Sequence, residues 1–137
     1  MRVELQQHSV DLQTQLNEHL PTVLGDKVQL QQVVFNLVMN AVEAMQSVQT
    51  RVLKVQTHQA NPGRVLVSVE DTGTGIDPSS IDRVFKPYFT TKANGMGMGL
   101  VICRSIIENH DGRIWVSPRI NGGSTFQFEL PIGITQH

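Results

Sequence analysis

The chain has a single cysteine, Cys103. No internal disulfide can form, so a buried core must hold the fold. That suits a reducing compartment, and a cytoplasmic location is the expectation. Long apolar runs are also missing, and none approaches the ~20 residues that a membrane-crossing helix needs. Met1–Leu16 is too polar for a secretory leader. The segment is therefore expected to be soluble and not to insert into a membrane itself, which leaves a membrane-anchored parent open. A basic field is absent as well: 11 basic residues face 12 acidic ones, for a net charge of -1. That argues against nucleic acid as a partner. Aromatics are scarce, with five Phe, one Tyr and one Trp. No internal repeat or low-complexity tract is visible.

What is present suffices for one ordinary core. The 137 residues are 39% hydrophobic and 17% charged, and a single domain over 1–137 is expected. Ser9–Leu16 alternates, placing Val10, Leu12 and Leu16 on one face, and reads as a half-buried strand. Asp26 can cap a helix running to about Ser47, with Leu30, Val33, Val34, Leu37, Val38 and Ala41 at helical spacing. Arg51–Gln59 and Arg64–Glu70 read as strands of a hairpin around Asn61-Pro62-Gly63. Pro78–Phe85 suggests a short helix, Phe85–Met98 a loop, and Gly99–His110 a second long helix ended by Asp111-Gly112. Arg113–Ser117 and Thr125–Leu130 are closing strands around a Pro118–Ser124 turn. The order is not a strict strand–helix alternation. It fits an α+β fold, a two-layer sandwich whose helices cover one face of a mixed, mostly antiparallel sheet.

The first helix carries an unusual polar stripe. Gln29, Gln32, Asn36, Asn40 and Glu43 fall three, four, four and three residues apart, on one face. A solvated face would normally explain this. Yet the stripe holds no lysine or arginine, and Asn is a poor helix former. An Asn carboxamide oxygen is a hard neutral donor that suits Mg²⁺, which takes few protein ligands beside phosphates.

Glycine-rich segments follow in order. Asp71 opens the turn Asp71-Thr72-Gly73-Thr74-Gly75 after a strand. A carboxylate there can accept from the exocyclic amine of adenine, while Gly73 and Gly75 let the backbone pass close to a ring. Gly95-Met96-Gly97-Met98-Gly99 precedes the second helix, which begins with Gly99 and Leu100. No Gly-Lys-Ser or Gly-Lys-Thr follows, so it is no Walker loop, and its spacing is not a dinucleotide fingerprint. Free amides and a helix dipole can still receive phosphate there, and Lys92 can reach it. Phe85, Tyr88 and Phe89 cluster before this loop and can anchor one end of a lid. Thr125, after Gly122-Gly123-Ser124, offers a hydroxyl that can share a water with Asp71.

The order of NLVMNAVEAM, DTGTGI, VFKPYFTTK, GMGMGL and GGSTF resembles the ATP-binding catalytic domain of bacterial sensor histidine kinases. These belong to the superfamily that also holds DNA gyrase, the heat-shock ATPases and the mismatch-repair ATPases. The resemblance runs from about Val10 to Pro131 and implies the Bergerat fold, with ATP and Mg²⁺ as ligands. It implies that Asn40 binds Mg²⁺, with Asn36 in the same box. It makes Asp71 the adenine-binding aspartate between Gly73 and Gly75, and Gly95, Gly97 and Gly99 the lid glycines. Thr125 becomes the threonine near adenine. Two departures are small: Tyr88 stands where Phe is common, and His110-Asp111-Gly112 where His-Gly-Gly is common. A larger one concerns the acceptor. None of the five histidines, His8, His19, His58, His110 and His137, has the context of a phospho-acceptor. The implied partners are a separate histidine-bearing dimerisation domain and a response-regulator receiver domain downstream. Three alternatives remain: an ATP hydrolase of the same superfamily using Glu43 as base, a serine kinase acting on an anti-sigma antagonist, and a nucleotide-binding docking module without transfer. The hydrolases carry a glutamate where Asn36 stands, and an amide cannot act as a general base.

Overall fold

In the computed structural model, residues 9–16, 23, 25–60, 63–86, 99–120 and 122–132 are described. Their elements are β1 (Asp11–Gln15), α1 (Lys27–Ala44), β2 (Val52–Ala60), β3 (Arg64–Asp71), a 3₁₀ turn (Pro78–Arg83), α2 (Gly99–Asn109), β4 (Arg113–Pro118) and β5 (Ser124–Pro131). The five strands form one sheet in the order β1-β2-β3-β5-β4. β1 pairs parallel with β2, and the β2–β3, β3–β5 and β4–β5 pairs are antiparallel. This is the mixed, mostly antiparallel sheet expected.

Period-2 alternation decides which strand residues meet the helices. β5 buries Ser124, Phe126, Phe128 and Leu130 and leaves the intervening residues half-buried. Register then sorts the neighbours. Val69 and Val116 both lie opposite Phe126, and Leu53 lies opposite Asp71. Leu53, Val69, Val116, Phe126, Phe128 and Leu130 join Val33, Leu37, Val38, Ala41 and Val42 of α1 and Cys103, Ile106 and Ile107 of α2 in one core cluster. Both helices therefore cover the same sheet face. The other face is polar: Trp115 Nε1 donates to Gln127 Oε1 at 3.0 Å, and Gln127 Nε2 donates to Ser68 Oγ at 3.0 Å. Among the described residues, no helix is long and apolar enough to cross a membrane.

The element ends show where local chemistry overrode the pattern. Asp26 caps α1 as expected, accepting from Gln29 N at 3.1 Å. The helix stops at Ala44 rather than Ser47, where groups from elsewhere in the chain take the carbonyls of Ala44 and of the turn after it. Thr74 N donates to Ala44 O at 3.1 Å, and the Arg51 guanidinium reaches Gln46 O at 2.7 Å and Val48 O at 3.0 Å. The short helix expected over Pro78–Phe85 is a 3₁₀ turn over Pro78–Arg83, capped by Asp77. In β1 the expected half-buried face fails at its end: Leu16 is 58% exposed. It lies beyond Gln15, the last residue paired to β2, so among the described residues the sheet ends before it.

α2 ends in a Schellman arrangement. Gly112 N donates to Ile107 O at 2.9 Å and Asp111 N to Glu108 O at 3.1 Å. Asp111, not Gly112, takes the left-handed conformation, with φ 61. His110 then links the two helices: Asp26 N donates to its Nε2 at 3.0 Å, and its Nδ1 lies 2.7 Å from Ile106 O.

Candidate functional site

The site is organised along α1. At the helix's C-terminal end sits the Asp71 loop. Asp71 is fully buried at the end of β3, where the alternation that buries Val69 also turns its carboxylate toward the helices. Its Oδ1 accepts from Gly73 N at 2.9 Å and its Oδ2 from Ser124 Oγ at 3.1 Å. Burial pushes the carboxyl above its ordinary range, opposed by the Gly73 and Ser124 hydrogen bonds and the charge of Arg119.

Two glycines permit this packing. A side chain at Gly73 would strike the Ala44 carbonyl, and one at Gly123 the Asp71 carbonyl. Gly123 also has φ 95, a conformation L side chains rarely adopt. Gly75 shares the same turn, with φ 79.

The N-terminal end of α2 meets α1 one turn before Asn40. Asn36 Nδ2 donates to Gly99 O at 3.5 Å, so its amide ties the two helices where α2 begins. Cys103, one turn into α2, is fully buried, and its Sγ lies 3.8 Å from Val33 O. Burial raises its thiol to about 11, so it stays protonated and belongs to the core. Asn36 and Asn40 are half-buried, while Gln29, Gln32 and Glu43 are exposed. From Asn36 to Ala44 the helix advances ~12 Å at 1.5 Å per residue. The α2 start lies at one end of that span and the buried carboxylate at the other, with Asn40 midway. Gly99 is exposed and Leu100 half-buried and packed against the core.

Of the remaining sequence-predicted residues, Lys92, Gly95 and Gly97 lie outside the described residues, as do Tyr88 and Phe89. Phe85 is described. It packs edge-to-face on Phe126, centroids 6.1 Å apart at 84°, and so fixes the end of the described 63–86 segment against the sheet.

One assignment needs correction. Thr125 stands in register opposite Glu70 and Ser117, on the sheet face turned away from the helices. The hydroxyl beside Asp71 belongs to Ser124. Strand parity could have shown this, since Ser124 is two residues before Phe126 and shares its face. Arg119 was also missed, because no pattern in a turn announces its contacts.

The chain spans about a quarter or less of the length of the curated sensor relatives it matches. It is 46% identical over 125 residues to the sensor protein FixL of Bradyrhizobium diazoefficiens, covering 91% of this chain and 25% of FixL. The catalytic domain of histidine kinase ThkA superposes with a TM-score of 0.84 at 35% identity, over 96% of this chain and 84% of that one. ThkA in complex with response regulator protein TrrA superposes with a TM-score of 0.80 at 32% identity, over 96% of this chain and 37% of that one. The family profile for histidine kinase-, DNA gyrase B- and HSP90-like ATPases matches residues 25–134, and the chain belongs to that family.

Proposed function

We propose that this domain binds ATP with Mg²⁺ and presents the γ-phosphate to a histidine on a separate dimerisation domain, in two-component signalling. The carrying observation is the buried Asp71 carboxylate, held by Gly73 and Ser124 at one end of α1. An ionised carboxylate offers acceptors only, so it selects the amino group of adenine over the carbonyl of guanine. The phosphates then extend along α1 toward the α2 start, where amides and the helix dipole favour anions. Lys92 and the glycines Gly95, Gly97 and Gly99 are proposed to close over them.

Asn40 is the proposed metal ligand. Among the described residues no group of three or more His, Cys, Asp and Glu side chains comes together. A neutral amide oxygen suits a cation that brings phosphate and water ligands of its own, as Mg²⁺ does. A bound ion would supply charge neutralisation on the phosphates, while this chain's residues orient them. In transfer an imidazole nitrogen bonds to the γ-phosphorus as the β–γ bridging P–O bond breaks, and ADP leaves with the electron pair.

The amide of Asn36 supports transfer over hydrolysis. It donates to Gly99 O and cannot take a proton from water at neutral pH. Glu43 is exposed, where water competes for its carboxylate. The proposed partners are the acceptor domain and a response-regulator receiver domain, and the proposed location is the cytoplasm. Mixing the chain with a histidine acceptor domain and γ-labelled ATP tests the reading. Base-stable, acid-labile label on the acceptor is expected. Binding without any labelling of it would leave only a docking module.

A further inference from the structure

Arg119 occupies the turn between β4 and β5, just past the Pro118–Ser124 pair. Its backbone N–H donates to Gly123 O at 3.1 Å, and its carbonyl accepts from Gly122 N at 3.2 Å. Its Nη1 donates to Gly122 O at 3.1 Å, while its Nε lies 3.5 Å from Glu70 Oε2. Glu70 immediately precedes Asp71 on β3. One guanidinium therefore joins the turn that leads into Ser124 to the strand that carries Asp71.

This arrangement differs from a loose surface ion pair. Arg119 and Glu70 side chains are 30% and 34% exposed, and the planar guanidinium serves a carbonyl and a carboxylate together, which an ammonium does poorly. The charged groups placed around Asp71 are Arg119, Glu70 on its own strand, Lys54 in register with Glu70 on β2, and Glu43 beside Ala44 on α1. Arg119 is the one whose charge favours the ionised carboxylate.

We infer that Arg119 is a positioning residue for base recognition: by clamping the 119–123 turn to Glu70 it sets the approach of the Ser124 hydroxyl to the Asp71 carboxylate, and with it the preference for adenine. The inference rests on the proposed nucleotide site. Strand pairing carries Ser124 to the correct neighbourhood, and the clamp fixes the last step between two polar groups.

Calorimetry with non-hydrolysable ATP and GTP analogues, from acid to neutral pH, tests this on wild type, Arg119→Met, Arg119→Lys and Glu70→Gln, alongside thermal unfolding. Arg119→Met should weaken ATP-analogue binding roughly 3- to 10-fold, the worth of one partly exposed hydrogen bond. It should narrow the preference over the GTP analogue and move the acid limb of the affinity profile to higher pH. Arg119→Lys should restore the limb, which follows charge, and not the full affinity, which follows the bond to Gly122 O. Wild-type affinity, base preference and pH limb in Arg119→Met would overturn the inference. So would a loss that tracks reduced thermal stability with the limb unmoved. If Arg119→Met does not fold, wild-type behaviour of both Arg119→Lys and Glu70→Gln would overturn it equally. A wild-type protein with no preference for the ATP analogue would instead remove the nucleotide reading beneath it.

Discussion

The hydroxyl of Ser124 donates to Oδ2 of Asp71 at 3.1 Å, joining residues 53 positions apart in sequence. The β3–β5 pairing brings them together, and it puts Thr125 on the other face. Ser124→Ala should therefore weaken ATP binding by about 1 kcal/mol, the usual net worth of such a bond. Thr125→Ala should change it by less than about 0.5 kcal/mol, as surface substitutions do. Calorimetry on the two variants separates them; the reverse ranking would return the role to Thr125.

The raised pKa of Asp71 gives stability and binding opposite pH slopes. Its folded value lies above the ordinary aspartate value of 3.8, so the folded state holds the proton more tightly than the unfolded chain. The contribution of Asp71 to stability is then largest at low pH and falls as pH rises from 3.8 through the folded pKa. Ionisation supplies the acceptor for adenine, so ATP affinity should rise over that same window. Urea midpoints of wild type minus Asp71→Asn against pH give the first slope, and calorimetry on wild type gives the second. Parallel slopes would contradict the burial of this carboxylate.

A third expectation concerns the end of α2. Asp111 holds φ 61, a conformation in which glycine has no steric penalty. Asp111→Gly should stabilise the domain by about 0.5–1 kcal/mol while leaving ATP affinity unchanged. Gly112→Ala should do the opposite, because a methyl there strikes the Glu129 carbonyl, and about 2 kcal/mol or more is a reasonable loss for forced backbone movement. Denaturant unfolding of both variants checks the pair.

These residues also show how far the sequence was legible. Helical spacing in α1 and alternation in β5 located the core, because burial of a periodic face is written directly in residue type. Asp71 and its glycines were legible because a turn after a strand needs them locally. What escaped depends on groups distant in sequence. The end of α1 is set by Thr74 reaching Ala44 O. The choice of Ser124 over Thr125 is set by register, where one residue of slip exchanges faces. The Arg119 clamp needs a turn and a strand to meet first. The exposure of Leu16 follows from where pairing with β2 stops.

Asn40 allows a cleaner separation of chemistry from fold. It lies half-buried on α1, one turn from Asn36. Asn40→Ala should abolish labelling of an added acceptor domain while costing about 1–2 kcal/mol of stability or less, the range for losing one polar side chain's hydrogen bond. Near-normal labelling by a folded Asn40→Ala protein at ordinary Mg²⁺ would assign the metal elsewhere.

The isolated chain should neither label itself nor release phosphate quickly. Among the described histidines, His110 has both ring nitrogens engaged, Nε2 accepting from Asp26 N at 3.0 Å and Nδ1 lying 2.7 Å from Ile106 O. To act as a nucleophile it would have to give up the contact that joins the start of α1 to the end of α2. His58 stands on β2 opposite Leu66, on the polar sheet face, whereas the proposed site lies on the helix side. Hydrolysis would need a base beside the γ-phosphate, and the amide at Asn36 supplies none. Incubation with γ-labelled ATP, followed by acid- and base-stability tests, decides the matter. A base-stable label mapped to His8, His19 or His110 would reveal an acceptor within this chain. Rapid phosphate release that disappears in Glu43→Gln would assign the domain to hydrolysis, with Glu43 as the base.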